Sequence, residues 1–241
     1  LIGADKDTGW DTARFSTSVL TAGAHTITIG AYNSRASGSD EVIDLFIDNV
    51  EMYLDTGAPA PGDLEFIELY NPTASDITLG TWTDNPHAPG QYFAGWRIRG
   101  GVDMDFDEGT TVAAGGMLVV LSFNPNKPEN AARVADFRVY YGIDASVPLA
   151  GGYSGNLSNG GERITLQRPD SPPSEEPAYV PHLIEDQAVY DDAAPWETSP
   201  DGLGDSLQRM HITGWGDDSA SWIAGIPGPG AYLCIGSGPI V

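Results

Sequence analysis

The chain has 241 residues, 41% of them hydrophobic, and sets 11 Lys and Arg against 34 Asp and Glu for a net charge of −23. That length supports one or two globular cores, with two small domains the better fit. The charge repels phosphate backbones and anionic lipid surfaces, so nucleic acid is not expected as a partner, and no apolar run approaches the ~20 residues of a membrane-spanning helix.

Residues 1–30 lack the basic start, apolar stretch and small-residue cleavage site of a signal peptide, and the first residue is Leu1; the chain reads as an excised piece. The single cysteine, Cys234, excludes an internal disulfide and a cysteine-built metal cluster. Excess carboxylates have two readings. One is hydration and solubility in salty water; the other is ligation of divalent cations by hard oxygen donors.

In chain order, strand-like runs come first at Phe15 to Leu20, His25 to Tyr32 and Val42 to Tyr53, parted by Gly-, Ser- and Asn-rich breaks. In the second run His25, Ile27, Ile29 and Ala31 share one face, the period of two of a half-buried strand. In the third the phase slips at Asp48-Asn49, where a β-bulge would restore the pleat. Three strands cannot cover both faces of a sheet, so 1–55 is expected to close a sandwich whose earlier strands are missing. The segment 56–62, TGAPAPG, carries two prolines and reads as a stiff, extended connector and domain boundary.

Beyond it, strands are expected at Leu64 to Tyr70, Ile77 to Trp82, Phe93 to Ile98, Thr110 to Val112 and Met117 to Phe123. Three more follow at Arg163 to Gln167, Ala188 to Tyr190 and Ser206 to Ile212, and short strands with frequent turns indicate a sandwich. One helix is expected over Asn126 to Tyr141, with Asn126 and Glu129 as its N-x-x-E cap and Ala131, Val134, Phe137 and Tyr141 near helical spacing before Gly142. Ser171 to Tyr190 reads as a long loop, Trp82 as closing a turn, and AAGGM from Ala113 as a tight return between strands.

Several blocks then follow in a recognisable order. They are EFIELYNP from Glu65, DITLGTW from Asp76, WRIRGG from Trp96, DFDEGTTVAAGGMLVVLSFNP from Asp105, NLSNGGERITLQRPD from Asn156, VYDDAAPW from Val189, GDSLQRM from Gly204 and SWIAGIPGPG from Ser221. In that order they resemble a lamin-tail domain of the kind found in bacterial secreted proteins, over 63–229. The resemblance implies an immunoglobulin-like β-sandwich, a secreted or cell-surface location, and a role in protein interaction or in anchoring a larger polypeptide. It carries no catalytic residues across. The run AGAHTITIGAYNSRASGSDEVIDLFIDNVEMYLD, ending at Asp55, is similar to the last strands of jelly-roll modules that bind carbohydrate.

Four acids, Asp40, Glu41, Asp44 and Asp48, surround the last strand of the first segment, where some jelly-roll relatives hold a structural calcium; the plainer reading is a charged edge that blocks aggregation. Asp103, Asp105 and Asp107 alternate with Val102, Met104 and Phe106, so in a strand the carboxylates share one face. That face is either a calcium surface or a solvated one. An EF-type loop fails here, because Glu108 and Ala114 stand where Gly and the bidentate Glu are needed.

His25, His87, His182 and His211 lie in unrelated contexts, and no nucleophile–base motif accompanies them, so no catalytic residue is assigned. Among the tryptophans, Trp196 and Trp215 sit in loops and are the candidate ligand-stacking residues, with packing as the alternative. The expectation is an all-β chain: an immunoglobulin-like sandwich with one inserted helix over 63–229, preceded by the end of a truncated jelly roll and followed by a tail at 230–241. It is expected to tether a larger secreted protein to a protein or cell-envelope component without catalysis and with no required cofactor. The alternatives are a calcium-stabilised module that binds polysaccharide and a cryptic hydrolase fragment.

Overall fold

The computed structural model describes residues 59–210 and 214–231. The strands expected between 15 and 53, the jelly-roll end, the acids Asp40, Glu41, Asp44 and Asp48, and Cys234 lie outside the described residues. Within them the chain is an all-β sandwich with one inserted helix. The strands are β1 (Phe66–Tyr70), β2 (Ile77–Thr78), β3 (Gly80–Asp84), β4 (Gln91–Gly95), β5 (Arg97–Gly100), β6 (Val102–Asp105), β7 (Thr111–Val112) and β8 (Met117–Leu121). The helix α1 (Ala131–Tyr141) follows. After it come β9 (Leu149–Gly151), β10 (Ser154–Gly155), β11 (Glu162–Pro169), β12 (His182–Tyr190), β13 (Ser206–Arg209) and β14 (Trp222–Gly225).

One sheet has the order β1-β8-β9, the other β10-β6-β5-β11-β12, and β2–β7, β3–β4 and β13–β14 form separate pairs. Strand β8 reads MLVVL without alternation because both of its faces are covered. Its register with β1 places Ile67 beside Val120 and Leu69 beside Leu118 on one face. These pack with Ile98, Val102, Ile164 and Leu166 from the other sheet and with buried Phe106, the interior of the sandwich. The opposite face carries Phe66, Val119, Leu121 and Leu149, and α1 closes it with Val134, Phe137 and Tyr141.

The helix has a topological reason. β8 and β9 run parallel, and parallel neighbours need a crossover rather than a hairpin. Gly142 ends α1 in the left-handed region at φ 65°, which turns the Ile143 N–H back to donate to the Arg138 carbonyl at 3.0 Å. At the other end the expected Asn126 cap is not formed. Pro128 restricts Lys127 to extended backbone (φ −80°, ψ 129°), so Pro128–Asn130 makes a 3-10 turn and the α-helix starts only at Ala131. Arg133 then reaches back to the Asp63 carboxylate and lies 4.0 Å over the Phe123 ring, while the Tyr141 hydroxyl donates to the Leu64 carbonyl at 2.8 Å. Asp63 and Leu64, just after the connector, are thus fastened to the helix, and the connector's last two residues, Pro61 and Gly62, form a 3-10 turn with Asp63 rather than extended chain.

Two expected strands are each divided, for one reason. Leu79 is buried and donates to Thr110, then accepts from the Trp96 N–H at 2.7 Å. At Leu79 and Trp96 the chain changes partners, and β3–β4 leaves the sandwich as a separate hairpin. A Cβ at Gly80 would stand 2.6 Å from the Asp107 carbonyl oxygen, so this exit requires glycine. Trp82 does not close a turn; it lies mid-strand opposite Phe93, with ring centroids 5.4 Å apart. Nor is 171–190 all loop, since its second half is β12.

On the α1 side of β1 the half-buried Glu68 accepts the Gly230 N–H at 2.7 Å. Burial pushes its carboxyl from the ordinary 4.5 up to about 6, against the lowering effect of that hydrogen bond. The folded state therefore holds this proton more tightly than the unfolded state. Its stabilising contribution is complete below pH 4.5 and is lost as pH rises through about 6. A glutamine keeps the acceptor oxygen. Glu68→Gln is expected to raise stability at neutral pH by about 1 kcal/mol, the linkage value discounted for partial exposure, and to flatten the pH dependence in that window. Urea unfolding of both proteins at mildly acidic and neutral pH reads the difference; equal slopes would refute it.

Candidate functional site

The outer edge of the five-stranded sheet is β12, which among the described residues pairs only with β11. Its register shifts opposite Leu166 and Gln167, leaving Glu185 as the extra residue of a β-bulge. The bulge explains why HLIEDQAVY lacks simple alternation and why only its last three residues read as strand. Leu183, Ile184 and Val189 are exposed along it, Ile184 by 62%. The Glu185–Arg168 pair at 2.9 Å is solvent-accessible and contributes about 0–1 kcal/mol. His182, at the start of the strand, places its ring nitrogens 3.1 Å from the Val180 carbonyl and 3.0 Å from the Gly95 carbonyl; it ties β12 to the base of the β3–β4 hairpin.

The β13–β14 hairpin supplies the other part of this surface. Arg209 donates to Asp186 on β12 at 3.0 Å and to the Gly214 carbonyl at 2.6 Å, and its guanidinium lies 5.0 Å over the Trp222 ring. Trp222 in turn donates its indole N–H to the Gly216 carbonyl at 2.7 Å. A Cβ on Gly216 would stand 2.2 Å from the Gln187 carbonyl oxygen, so the 214–218 loop can lie against β12 only with glycine there. The adjacent Trp215 is left 82% exposed. Trp196 is half-buried, 6.4 Å from Trp222 with the rings tilted by 44°. The two candidate tryptophans therefore differ: Trp215 is free to meet a ligand, and Trp196 leans on a tryptophan that is itself fastened by Arg209. Near Trp196, the Asp192 carboxyl titrates above the usual range, chiefly because it shares a hydrogen bond with Asp191.

Asp103 and Asp105 project together from β6, as alternation requires, while Asp107 falls beyond the strand. Arg99 lies between the first two, 4.0 Å from Asp103 and 2.6 Å from Asp105. With Asp107, Asn124, Gly151 and Gly152 they border an open depression of about 500 Å³. Among the described residues no group of three or more His, Cys, Asp or Glu is arranged to hold a metal ion, and no helix is long and apolar enough to cross a membrane. Sequence reasoning missed Ile184, Leu183 and Arg209; the adjacent pair Leu183-Ile184 between Pro181 and two acids was the available signal of a bulged edge. No family model, no curated protein and no solved structure matches the chain.

Proposed function

We propose that this chain is a non-catalytic interaction module that tethers a larger secreted protein to a protein or cell-envelope component, in line with the protein-interaction or anchoring role that its resemblance to lamin-tail domains implies. The observation that supports it is a single surface. A nine-residue sheet edge with Leu183 and Ile184 exposed lies beside an almost fully exposed tryptophan. An edge strand offers main-chain donors and acceptors to an incoming strand, and exposed aliphatic and indole groups give that pairing an apolar anchor. The negative field of the chain favours a partner with a basic surface.

Affinity capture from envelope fractions tests the proposal with the wild-type chain, Trp215→Ala and Ile184→Lys. Both substitutions lie on exposed side chains and are expected to change stability by less than about 0.5 kcal/mol. Binding to a captured partner is expected to weaken by about 10- to 100-fold in Trp215→Ala, the effect of losing an aromatic anchor. Partners retained equally by both variants would remove this surface from consideration.

The exposed indole of Trp215 also suits the apolar face of a sugar ring, which supports a second reading, a polysaccharide-binding module stabilised by calcium through Asp40, Glu41, Asp44 and Asp48. A calcium titration of chelator-treated protein, followed by melting with and without the ion, separates the two. A raised melting point directs the search to glycans, and an unchanged one directs it to proteins.

A further inference from the structure

The connection between β10 and β11 carries Asn159-Gly160-Gly161 at its tip. Its flanks are held firmly. The Ser158 N–H donates to Glu162 at 2.9 Å, and the Tyr190 hydroxyl lies 2.9 Å from both the Ser158 carbonyl and the Glu162 carboxylate. Gly161 is packed so closely that a Cβ would stand 2.6 Å from the Tyr190 carbonyl oxygen. The tip between them is free: Asn159 and Gly160 are exposed, and neither the Asn159 side-chain amide nor the Gly160 N–H is hydrogen-bonded among the described residues. Around Gly160 the space is open, the nearest atom to an added Cβ being the Ser158 hydroxyl at 3.9 Å.

We propose that Asn159 is a self-modifying site, at which the folded protein converts asparagine to isoaspartate and aspartate through a cyclic imide. A base in solvent removes the Gly160 amide proton, and that nitrogen bonds to Cγ of Asn159. The Nδ2 group takes up a proton and leaves as ammonia. Water then adds to the ring. Opening at Cγ gives aspartate, and opening at the main-chain carbonyl gives isoaspartate, with the backbone now running through Cβ and Cγ. Nothing is oxidised or reduced, and water is the only co-reactant. The product adds a carboxylate beside the 198–202 loop, since Nδ2 of Asn159 lies 3.6 Å from where a Cβ of Gly202 would be.

At the other described asparagines the same chemistry is blocked or slowed. Asn71, Asn85 and Asn124 precede prolines, which have no N–H to give up, and Asn126, Asn130 and Asn156 precede residues whose side chains crowd the attack. The neighbouring Asp201-Gly202 pair has the right sequence, but its Gly202 N–H is occupied by the Pro200 carbonyl at 2.9 Å.

Incubation of the whole chain at mildly alkaline pH, followed by peptide mass spectrometry and labelling with an isoaspartyl methyltransferase, tests the proposal. One deamidation is expected, in the peptide containing Asn159, ahead of every other described asparagine. Gly160→Ala meets only the Ser158 hydroxyl at 3.9 Å, an ordinary contact, and needs no left-handed backbone, so it should fold normally, yet slow the reaction by about tenfold or more because a Cβ restricts the conformations that reach Cγ. An unmodified Asn159 in the folded protein while urea-unfolded chain reacts, an equal rate in Gly160→Ala, or a different described asparagine reacting first would each overturn it.

Discussion

Phe137→Ala is expected to destabilise the chain by about 3–5 kcal/mol, the cost of deleting a large buried aromatic whose site cannot collapse. Phe137 is fully buried and forms the centre of the contact between α1 and the three-stranded sheet. Its ring meets Phe66 edge-on at 6.2 Å and Tyr141 at 4.8 Å. Both neighbours are pinned, Phe66 by its ladder to Leu121 and Tyr141 by its hydrogen bond to Leu64, so neither can swing into the void. The loss also reaches beyond the helix, because Phe137 shares one buried cluster with Val119 and Leu121 of β8 and with Leu149 of β9, which Leu64, Ile143 and Val147 cover beside α1. Chemical denaturation gives the magnitude. Hydrogen exchange gives the pattern, with faster exchange expected in β8 and β9 as well as in α1. A loss below about 1 kcal/mol would show that α1 decorates the sandwich rather than completing it.

The second large effect is expected at Asn71, which is 2% exposed at the end of β1. Its Nδ2 donates to the carbonyls of Ser75, Val112 and Ala113 at 2.8, 3.0 and 3.1 Å, and its Oδ1 accepts from the Thr73 N–H at 3.0 Å and the Thr73 hydroxyl at 2.8 Å. One side chain thus binds the turn after β1 to the return from β7 into β8. Asn71→Ala strands several of these groups away from water, at a cost of about 3 kcal/mol. Asn71→Asp is the sharper test. It preserves shape but exchanges the donor for a carboxylate facing three carbonyl oxygens, and is expected to cost at least as much as alanine. Were Asn71→Asp neutral in denaturation, the amide would be a space-filler and this account of the turn would fail.

These core positions matter to the proposed interaction only through folding, whereas Trp215 and Ile184 matter through contact. Capture experiments should therefore be read beside melting data. Phe137→Ala is expected to lower both together, and Trp215→Ala to lower the proposed binding alone.

Fold class and the individual strands were legible because each signal is local. The alternation or continuity of apolar residues marked β1, β7, β8 and β11, Gly142 marked the end of α1, and AAGGM marked the β7–β8 return. The start of α1 was misplaced because an N-x-x-E pattern describes a cap, while Pro128, one residue before that glutamate, controls whether the backbone before it can be helical. The tryptophans Trp196 and Trp215 were legible as loop residues, but their unequal exposure was not, since it depends on Trp222 and Arg209. Residue order alone therefore determined the acidic character of this chain, its β-rich make-up and where most of the described strands and α1 lie. Only the tertiary structure decided that two runs each split between partners at Leu79 and Trp96, that α1 spans parallel β8 and β9, and that β12 is, among the described residues, the outer strand of its sheet with the loop that carries Trp215 laid against it. Pairing joins residues far apart in the chain, and the side that a strand leaves unpaired is set by what the rest of the fold brings alongside it.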